Sequence, residues 1–304
     1  MQTPGYDSES GLLFLSNGER FPTVPDNPSR EDALAALGDL LDLLKEFPFT
    51  READKSVAIA SILTVLIRRS LPSSPLFAFT APAAGTGKSA LVDVASIIAT
   101  GESSAVSSQG ANEEEMEKRL GTALIENNQI INIDNVERPL KGQTLCQMLT
   151  QQTVKIRILG QSKSQDMPSV ATVFATGNNL VLQGDLTRRA ILCRLDAESE
   201  KPEERHFQRN IFEYTRKNRG QLVKSALTIL RAYYKAGMPD QGLVPMASFE
   251  DWSKWIRNSL VWLGMTDPLK TKEDIRDADP SVEMLKHFVY AWYEFFGNST
   301  CTLK

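Results

Sequence analysis

The sequence predicts an α/β fold: a parallel sheet flanked by helices, with a helical pair before it and an all-helical stretch after it. Three observations carry this. Short apolar runs at 76–80, 130–134, 170–176 and 191–195 alternate with helical patterns, the order of a doubly wound sheet. The run at 129–134 is nearly continuous in apolar residues, as in strands covered on both faces. One run, Leu76-Phe77-Ala78-Phe79-Thr80, leads through Ala81-Pro82-Ala83-Ala84-Gly85-Thr86-Gly87-Lys88-Ser89 directly into a helical pattern at 90–98.

Four regions follow from a pass along the chain. Residues 1–28 carry Pro4, Gly5, Gly11, Gly18, Pro22, Pro25 and Pro28 and read as an irregular arm with a short strand at 12–15. Residues 29–72 form the N-terminal helical region. Ser29 caps its first helix, with Asp32 three residues on, and Leu34, Leu37, Leu40, Leu41 and Leu44 make the apolar stripe. Phe47-Pro48-Phe49 turns the chain. A second helix from Thr50 is apolar along Val57, Ile59, Ile62, Leu63, Leu66 and Ile67 and stops before Pro72. Arg68 and Arg69 at its end read as solvated, with DNA contact as the alternative.

Residues 73–200 hold the nucleotide-binding core. After the helix at 90–98, Gly101 supplies a C-terminal cap. A short strand lies at 104–107, and Asn112 begins a helix with three glutamates in its first turn. The strand at 129–134 ends on Asp134, a helix spans 143–151, and an alternating strand occupies 153–159. Residues 201–304 read as a helical lid and C-terminal helical region. Pro202 opens one helix, 221–236 forms another, Ser248 starts a tryptophan-rich helix, and a last helix runs over 281–296.

Composition narrows the function classes. The chain has 304 residues, 41% hydrophobic and 24% charged, and a formal net charge of −4. That balance is ordinary for a globular protein and argues against a non-specific nucleic-acid coat. Cys146, Cys193 and Cys301 form no CxxC pair and only His206 and His287 are present, so no structural zinc is expected and a cytoplasmic location is the simplest reading. No signal pattern opens the chain, and the apolar run at 57–67 is too short to span a bilayer, so no membrane partner is expected.

Chemistry centres on 81–89. Strand, tight loop and helix form the context a phosphate-binding loop needs, because loop and helix-start N–H groups converge on an anion. Gly85, Thr86 and Gly87 are the loop backbone, Lys88 reaches the β- and γ-phosphates, and the Ser89 hydroxyl ligates Mg²⁺. Pro82 stands where the usual pattern has its first glycine. Asp134 ends a buried strand where such ATPases order Mg²⁺. The next residue is Asn135, whose amide positions water but accepts protons poorly; Glu137 lies two further on, and the identity of the base stays open. In Ala175-Thr176-Gly177-Asn178-Asn179, Asn178 is the first choice for a γ-phosphate sensor and Asn179 the second. Arg188 and Arg189 precede a strand and suit phosphate recognition, in trans from a neighbouring subunit.

With these elements in this order, the chain resembles an AAA+ ATPase of the P-loop NTPase class. More narrowly it is similar to the helicase modules of phage, plasmid and integrative-element primase-helicases, akin to superfamily III and minichromosome-maintenance helicases. The resemblance covers roughly residues 30–235 and rests on Glu46-Phe47-Pro48-Phe49 and the segments 81–89, 130–136, 174–180 and 184–196. It implies a ring, usually a hexamer, with ATP and Mg²⁺ between subunits and single-stranded DNA in the pore. Lys88 and Ser89 would be loop residues, Asp134 the Mg²⁺-ordering acid, Asn178 the first sensor, and Arg188 the trans-acting finger with Arg189 beside it. A DNA-contacting hairpin would map to 154–163, with Gly160 in the turn and Lys163 near the tip, and a second sensor would fall near Arg219. No primase motif is visible; a primase or other replication domain is an expected partner, as for a module of a longer protein. Two other readings stand beside the helicase: an ATPase that remodels or loads another protein, using tail aromatics, and a nucleotide-binding switch with little hydrolysis, motivated by Asn135.

Overall fold

The computed structural model describes residues 4–8, 12–14, 18–157, 163–277 and 280–297. Strands β1 (Gly5–Asp7) and β2 (Leu12–Phe14) pair antiparallel in the arm. Helix α1 (Arg30–Leu44) starts at a reciprocal cap. The Asp32 N–H donates to Ser29 Oγ at 3.1 Å, and the Ser29 N–H donates to Asp32 Oδ2 at 2.8 Å, an arrangement worth about 1 kcal/mol. Its buried side is Ala33, Leu37, Leu40, Leu43 and Leu44, whereas Leu34 is exposed. Helix α2 (Glu52–Ile67) is buried on nearly every face. Buried Asp54 ties its start to the sheet by accepting from Thr50 Oγ1 and the Arg194 N–H, both at 2.8 Å.

Arg68 departs from the expected solvated helix end and from the DNA-contact alternative. It is 2% exposed and donates to the carbonyls of Ala171, Leu71 and Ser169 at 2.9, 2.7 and 2.6 Å. Three main-chain acceptors from two segments bring this guanidinium inside, and burial pulls its pKa down to about 10.

The sheet lies beyond this pair. Along the chain come β3 (Leu76–Ala81), α3 (Lys88–Thr100), β4 (Val106–Ser108), α4 (Glu113–Ile125), β5 (Ile130–Asp134) and α5 (Gln143–Thr150). Then follow β6 (Thr153–Arg157), β7 (Ser164–Pro168), β8 (Thr172–Asn178) and β9 (Ala190–Arg194). Five of these strands make one parallel sheet in the order β4-β5-β8-β3-β9. Every residue of β3 is buried, and Phe77, Phe79 and Phe174 pack ring to ring between β3 and β8. Gly101 caps α3 in a left-handed conformation, and Asn112 Oδ1 caps α4 by accepting from the Glu115 N–H. The alternating strand does not join the sheet: β6 pairs antiparallel with β7 as a separate hairpin. Val154 and Ile156 turn inward while Lys155 and Arg157 stay exposed. The turn residues 158–162, Gly160 included, lie outside the described residues.

The C-terminal part corrects two expected boundaries. Pro202 opens only a single 3₁₀ turn, Pro202–Glu204, and the long helix α6 (Ile211–Lys235) runs unbroken from an Asn210 cap. The helix expected at 221–236 is thus the second part of α6, and Gly220 lies inside it, where a Cβ would come within 2.3 Å of the Arg20 carbonyl oxygen. The glycine lets the arm cross the helix at contact distance. Helix α6 packs along α1 and against α3. Helices α7 (Glu250–Trp252) and α8 (Asn258–Trp262) flank a π-helical turn, and buried Trp252 donates to Thr64 Oγ1 at 2.9 Å. Helices α9 (Lys272–Asp277) and α10 (Pro280–Phe296) follow. The aromatic residues Phe288, Tyr290, Tyr293 and Phe295 of α10 are exposed. Among the described residues no helix is long and apolar enough to cross a membrane.

Candidate functional site

Because the strands are parallel, the loops leaving β3, β5 and β8 emerge at one edge, the carboxyl-end crevice where open α/β sheets bind ligands. Register sets the neighbours: Ala81 stands opposite Asn178, and Ile133 opposite Ala175. The tight loop 82–87 turns through Gly85 (φ +75°) and Gly87 (φ +102°), conformations that favour glycine. Space demands glycine as well. A Cβ on Gly87 would lie 3.1 Å from the Phe47 ring, and one on Gly85 would lie 3.0 Å from Glu203 N.

Lys88, the first residue of α3, is 9% exposed. Its ammonium donates to Asn178 Oδ1 at 2.8 Å, Ala83 O at 2.9 Å and Thr86 Oγ1 at 3.3 Å. Burial pulls its pKa below the ordinary lysine value, and the Asp134 charge partly opposes that. Ser89 Oγ donates to Asp134 Oδ1 at 2.8 Å. Lys88, Ser89, Asp134 and Asn178 therefore meet at one point, drawn from α3, β5 and β8. Asn178 is the residue of its pair that touches Lys88; Asn179 is left-handed (φ +45°) and its N–H donates to Ala81 O at 2.9 Å.

Thr176 belongs to the same cluster and no motif pointed to it. It is 1% exposed, its hydroxyl donates to Asp134 Oδ1, and it accepts from the Asn135 N–H at 3.2 Å. Its only sequence signal was its place two residues before Asn178 on the same strand. Asn135 is left-handed (φ +52°), and its Nδ2 donates to Glu137 Oε1 at 3.0 Å.

Arg188, Arg189 and Lys163 are not brought to this cluster within the chain. Leu76, the first residue of β3, pairs with Ala190, so both arginines sit at the opposite edge of the sheet. Arg188 is exposed and paired with Asp185. Arg189 is largely buried and anchored: it donates to Cys146 O at 2.7 Å and Thr150 Oγ1 at 2.9 Å and pairs with Asp185 Oδ2 at 2.6 Å. Lys163 is exposed beside the first residue of β7. Arg219 sits at the far end of α3, donating to Ile98 O at 3.1 Å and Ala99 O at 3.0 Å.

A cavity of about 550 Å³ adjoins the loop at Gly85, Thr86 and Gly87. Phe47, Pro48, Phe207 and Phe212 supply apolar surface, and Glu46, Arg205 and Arg209 add charge. Arg205 donates to Glu46 O at 2.8 Å, and Arg209 pairs with Asp42 Oδ2 at 2.9 Å and stacks 3.9 Å from the Tyr214 ring centroid. Three buried polar atoms of these lining residues, Glu46 Oε1, Arg205 Nη1 and Arg209 Nε, have no partner among the described residues. Sequence reasoning found Phe47 and Pro48 in a carrying segment but not the residues between Pro202 and α6, which follow no motif.

No family model and no curated protein matches this chain. Among solved structures it is similar to the A-form apo structure of the NrS-1 C-terminal region. That match has 16% identity and a TM-score of 0.45 and covers 73% of this chain and 54% of that one. An apo structure of the same region is similar at 15% identity, with a TM-score of 0.40 over 82% of this chain and 59% of that one. The chain thus spans about half the length of the structures it matches.

Proposed function

We propose that the chain is an ATP-dependent DNA helicase or translocase module of a mobile-element replication protein, hydrolysing ATP between subunits of a ring. The observation that carries the reading is the meeting of Lys88, Ser89, Asp134 and Asn178 at the mouth of the parallel sheet. Residues 82–89 act as the phosphate-binding loop: the N–H groups of the loop and of the α3 start face an anion, and the helix dipole adds partial positive charge. Lys88 neutralises the β- and γ-phosphates and exchanges its contact with Asn178 for a phosphate oxygen. The adjoining cavity takes the nucleoside between Phe47 and the lid, where its unpartnered donors and acceptor meet a base.

Mg²⁺ fits the donor set. Ser89 Oγ and Asp134 Oδ1 are both hard oxygen ligands and lie 2.8 Å apart, and Mg²⁺ is typically held by one or two such groups together with phosphate oxygens and water. When bound it supplies charge neutralisation on the triphosphate. Thr176 holds the Asp134 carboxylate in orientation, and Asn178 polarises the γ-phosphate side. Arg188 serves the site of the next subunit, and the β6–β7 hairpin, with exposed Lys155, Arg157 and Lys163, contacts the phosphates of single-stranded DNA.

The test is ATP hydrolysis stimulated by single-stranded DNA and abolished by Lys88→Ala. Hydrolysis indifferent to DNA, together with no strand displacement, sinks the helicase reading. A second reading, a nucleotide-binding switch, is favoured by Asn135, which is no proton acceptor; it predicts ATP-driven assembly with no phosphate release.

A further inference from the structure

We propose that Glu137 is the carboxylate that activates the attacking water and that Asn135 positions it; this deepens the ATPase reading above and rests on it. Asp134 is already committed, since its Oδ1 accepts from both Ser89 and Thr176. The amide of Asn135 cannot take a proton from water at neutral pH. It does something else: Nδ2 donates to Glu137 Oε1 at 3.0 Å.

The donor is itself held. The Asn135 N–H donates to Thr176 Oγ1 at 3.2 Å, and the Val136 N–H donates to Thr176 O at 2.7 Å. Gly177 lies so close that a Cβ there would be 2.5 Å from Val136 O. Hydrogen bonds therefore run without a break from Ser89 through Asp134, Thr176 and Asn135 to Glu137. The left-handed φ of +52° at Asn135, which asparagine adopts more readily than most residues, bends the chain just where the strand ends. Glu137 is exposed beyond that bend, with one carboxylate oxygen on Asn135 and the other without a partner among the described residues. Glu46 and Glu203 also carry carboxylates near the loop, but Glu46 lines the cavity beside Gly85–Gly87 and Glu203 lies against Gly85, neither of them beyond β5.

In the step, the water oxygen bonds to the γ-phosphorus while Glu137 takes the water proton. The bond from that phosphorus to the bridging oxygen breaks, its electron pair leaves on ADP, and Glu137 returns the proton to solvent. The products are ADP and inorganic phosphate.

The experiment measures ATP binding at equilibrium and hydrolysis in a single turnover, on the full chain with single-stranded DNA present. For Glu137→Gln, ATP affinity stays within about threefold and the hydrolysis rate falls about 10²-fold or more. For Asn135→Gly, which keeps the positive φ and removes only the amide, the rate falls about 10-fold with affinity retained. The double variant falls no further than Glu137→Gln alone, a non-additivity that a merely structural role of Asn135 would not produce. Hydrolysis by Glu137→Gln within threefold of the unaltered chain overturns the base assignment, and losses that simply multiply overturn the positioning role. An unaltered chain that binds ATP and never releases phosphate also overturns it. An unaltered chain that fails to bind ATP overturns the underlying reading instead.

Discussion

Parallel strands separate the proposed loop from the proposed finger within one chain. Ala190 pairs with Leu76, and the loop leaves the sheet after Ala81, five residues further along β3. At about 3.3 Å per residue that is about 17 Å between opposite edges of the sheet, too far for Arg188 to act on the proposed loop of its own chain, so the proposed finger would have to serve a neighbour. A head-to-tail assembly brings the two edges together, the kind of interface that closes into a ring. Arg188 is free to do so, because it is exposed and its partner Asp185 forms a surface ion pair with it, which is weak. The perturbation is a mixture of two inactive chains, Lys88→Ala with an intact finger and Arg188→Ala with an intact loop. Each alone should hydrolyse ATP at least about 10³-fold more slowly than the unaltered chain. In a one-to-one random assembly, a site is intact when its loop comes from the second chain and its finger from the first. Each event has a chance of one half, so about one quarter of the sites recover and the mixture regains about 25% of the unaltered rate. The assay is steady-state phosphate release at saturating ATP and DNA, with mixed assembly verified by native mass spectrometry. Mixed rings that form and still turn over no faster than the two variants summed would falsify the trans arrangement.

Three further outcomes follow from particular contacts. Arg68→Met removes the donor to three main-chain carbonyls; leaving them unmet should cost about 3 kcal/mol of stability in urea unfolding, and a loss under 1 kcal/mol would contradict the role given to this residue. Lys163→Ala should weaken single-stranded DNA binding equally for all sequences and lower the slope of log affinity against log salt by about 1; an unchanged slope removes Lys163 from the DNA path. Asp267 is pushed up by burial but held net below its ordinary value of 3.8 by Arg257, which donates at 2.7 Å, and by the Leu269 N–H. A carboxylate with a depressed folded pKa stabilises fully above its unfolded pKa and loses that contribution as pH falls through the folded one. The stability gap between the unaltered chain and Asp267→Asn should therefore be widest above the ordinary aspartate range and close as pH falls through the lowered folded-state value; a gap independent of pH would refute the linkage.

Local chemistry was legible in the sequence, and contacts made across the chain were not. Ser29 with Asp32, Asn112 and Gly101 declare helix ends because each cap is completed within a few residues. The strands ending on Asp134 and Asn178 declare themselves because runs of apolar residues are interrupted only where side chains leave the sheet at its edge, and the parallel register then gathers those ends beside Lys88. Arg68 failed this logic. An arginine pair at a helix end reads as solvated, and only the carbonyls of Ser169 and Ala171, about a hundred residues away, reverse the reading. The separate helix expected at 221–236 failed for a related reason, since α6 runs unbroken through Gly220, which sits against Arg20 O from a segment two hundred residues away.

Arg219 separates the two cases most sharply. By position it was the expected second sensor, yet its guanidinium lies on the Ile98 and Ala99 carbonyls and pairs with Glu19. Lys88 is the first residue of α3 and Ile98 the eleventh. At 1.5 Å per residue this puts Arg219 about 15 Å along the helix from the loop. A cation at a helix C-terminus is favoured by the unpaired carbonyls there, so Arg219 closes α3 from behind. Within reach of the proposed loop, the arginines between Pro202 and α6 are Arg205 and Arg209, each with a buried nitrogen that lacks a partner among the described residues beside the cavity. If the lid reads the nucleotide at all, it does so through one of these. Arg205→Ala or Arg209→Ala should then weaken ATP binding where Arg219→Ala lowers only stability, and the reverse pattern in a paired binding and unfolding series would return the role to Arg219.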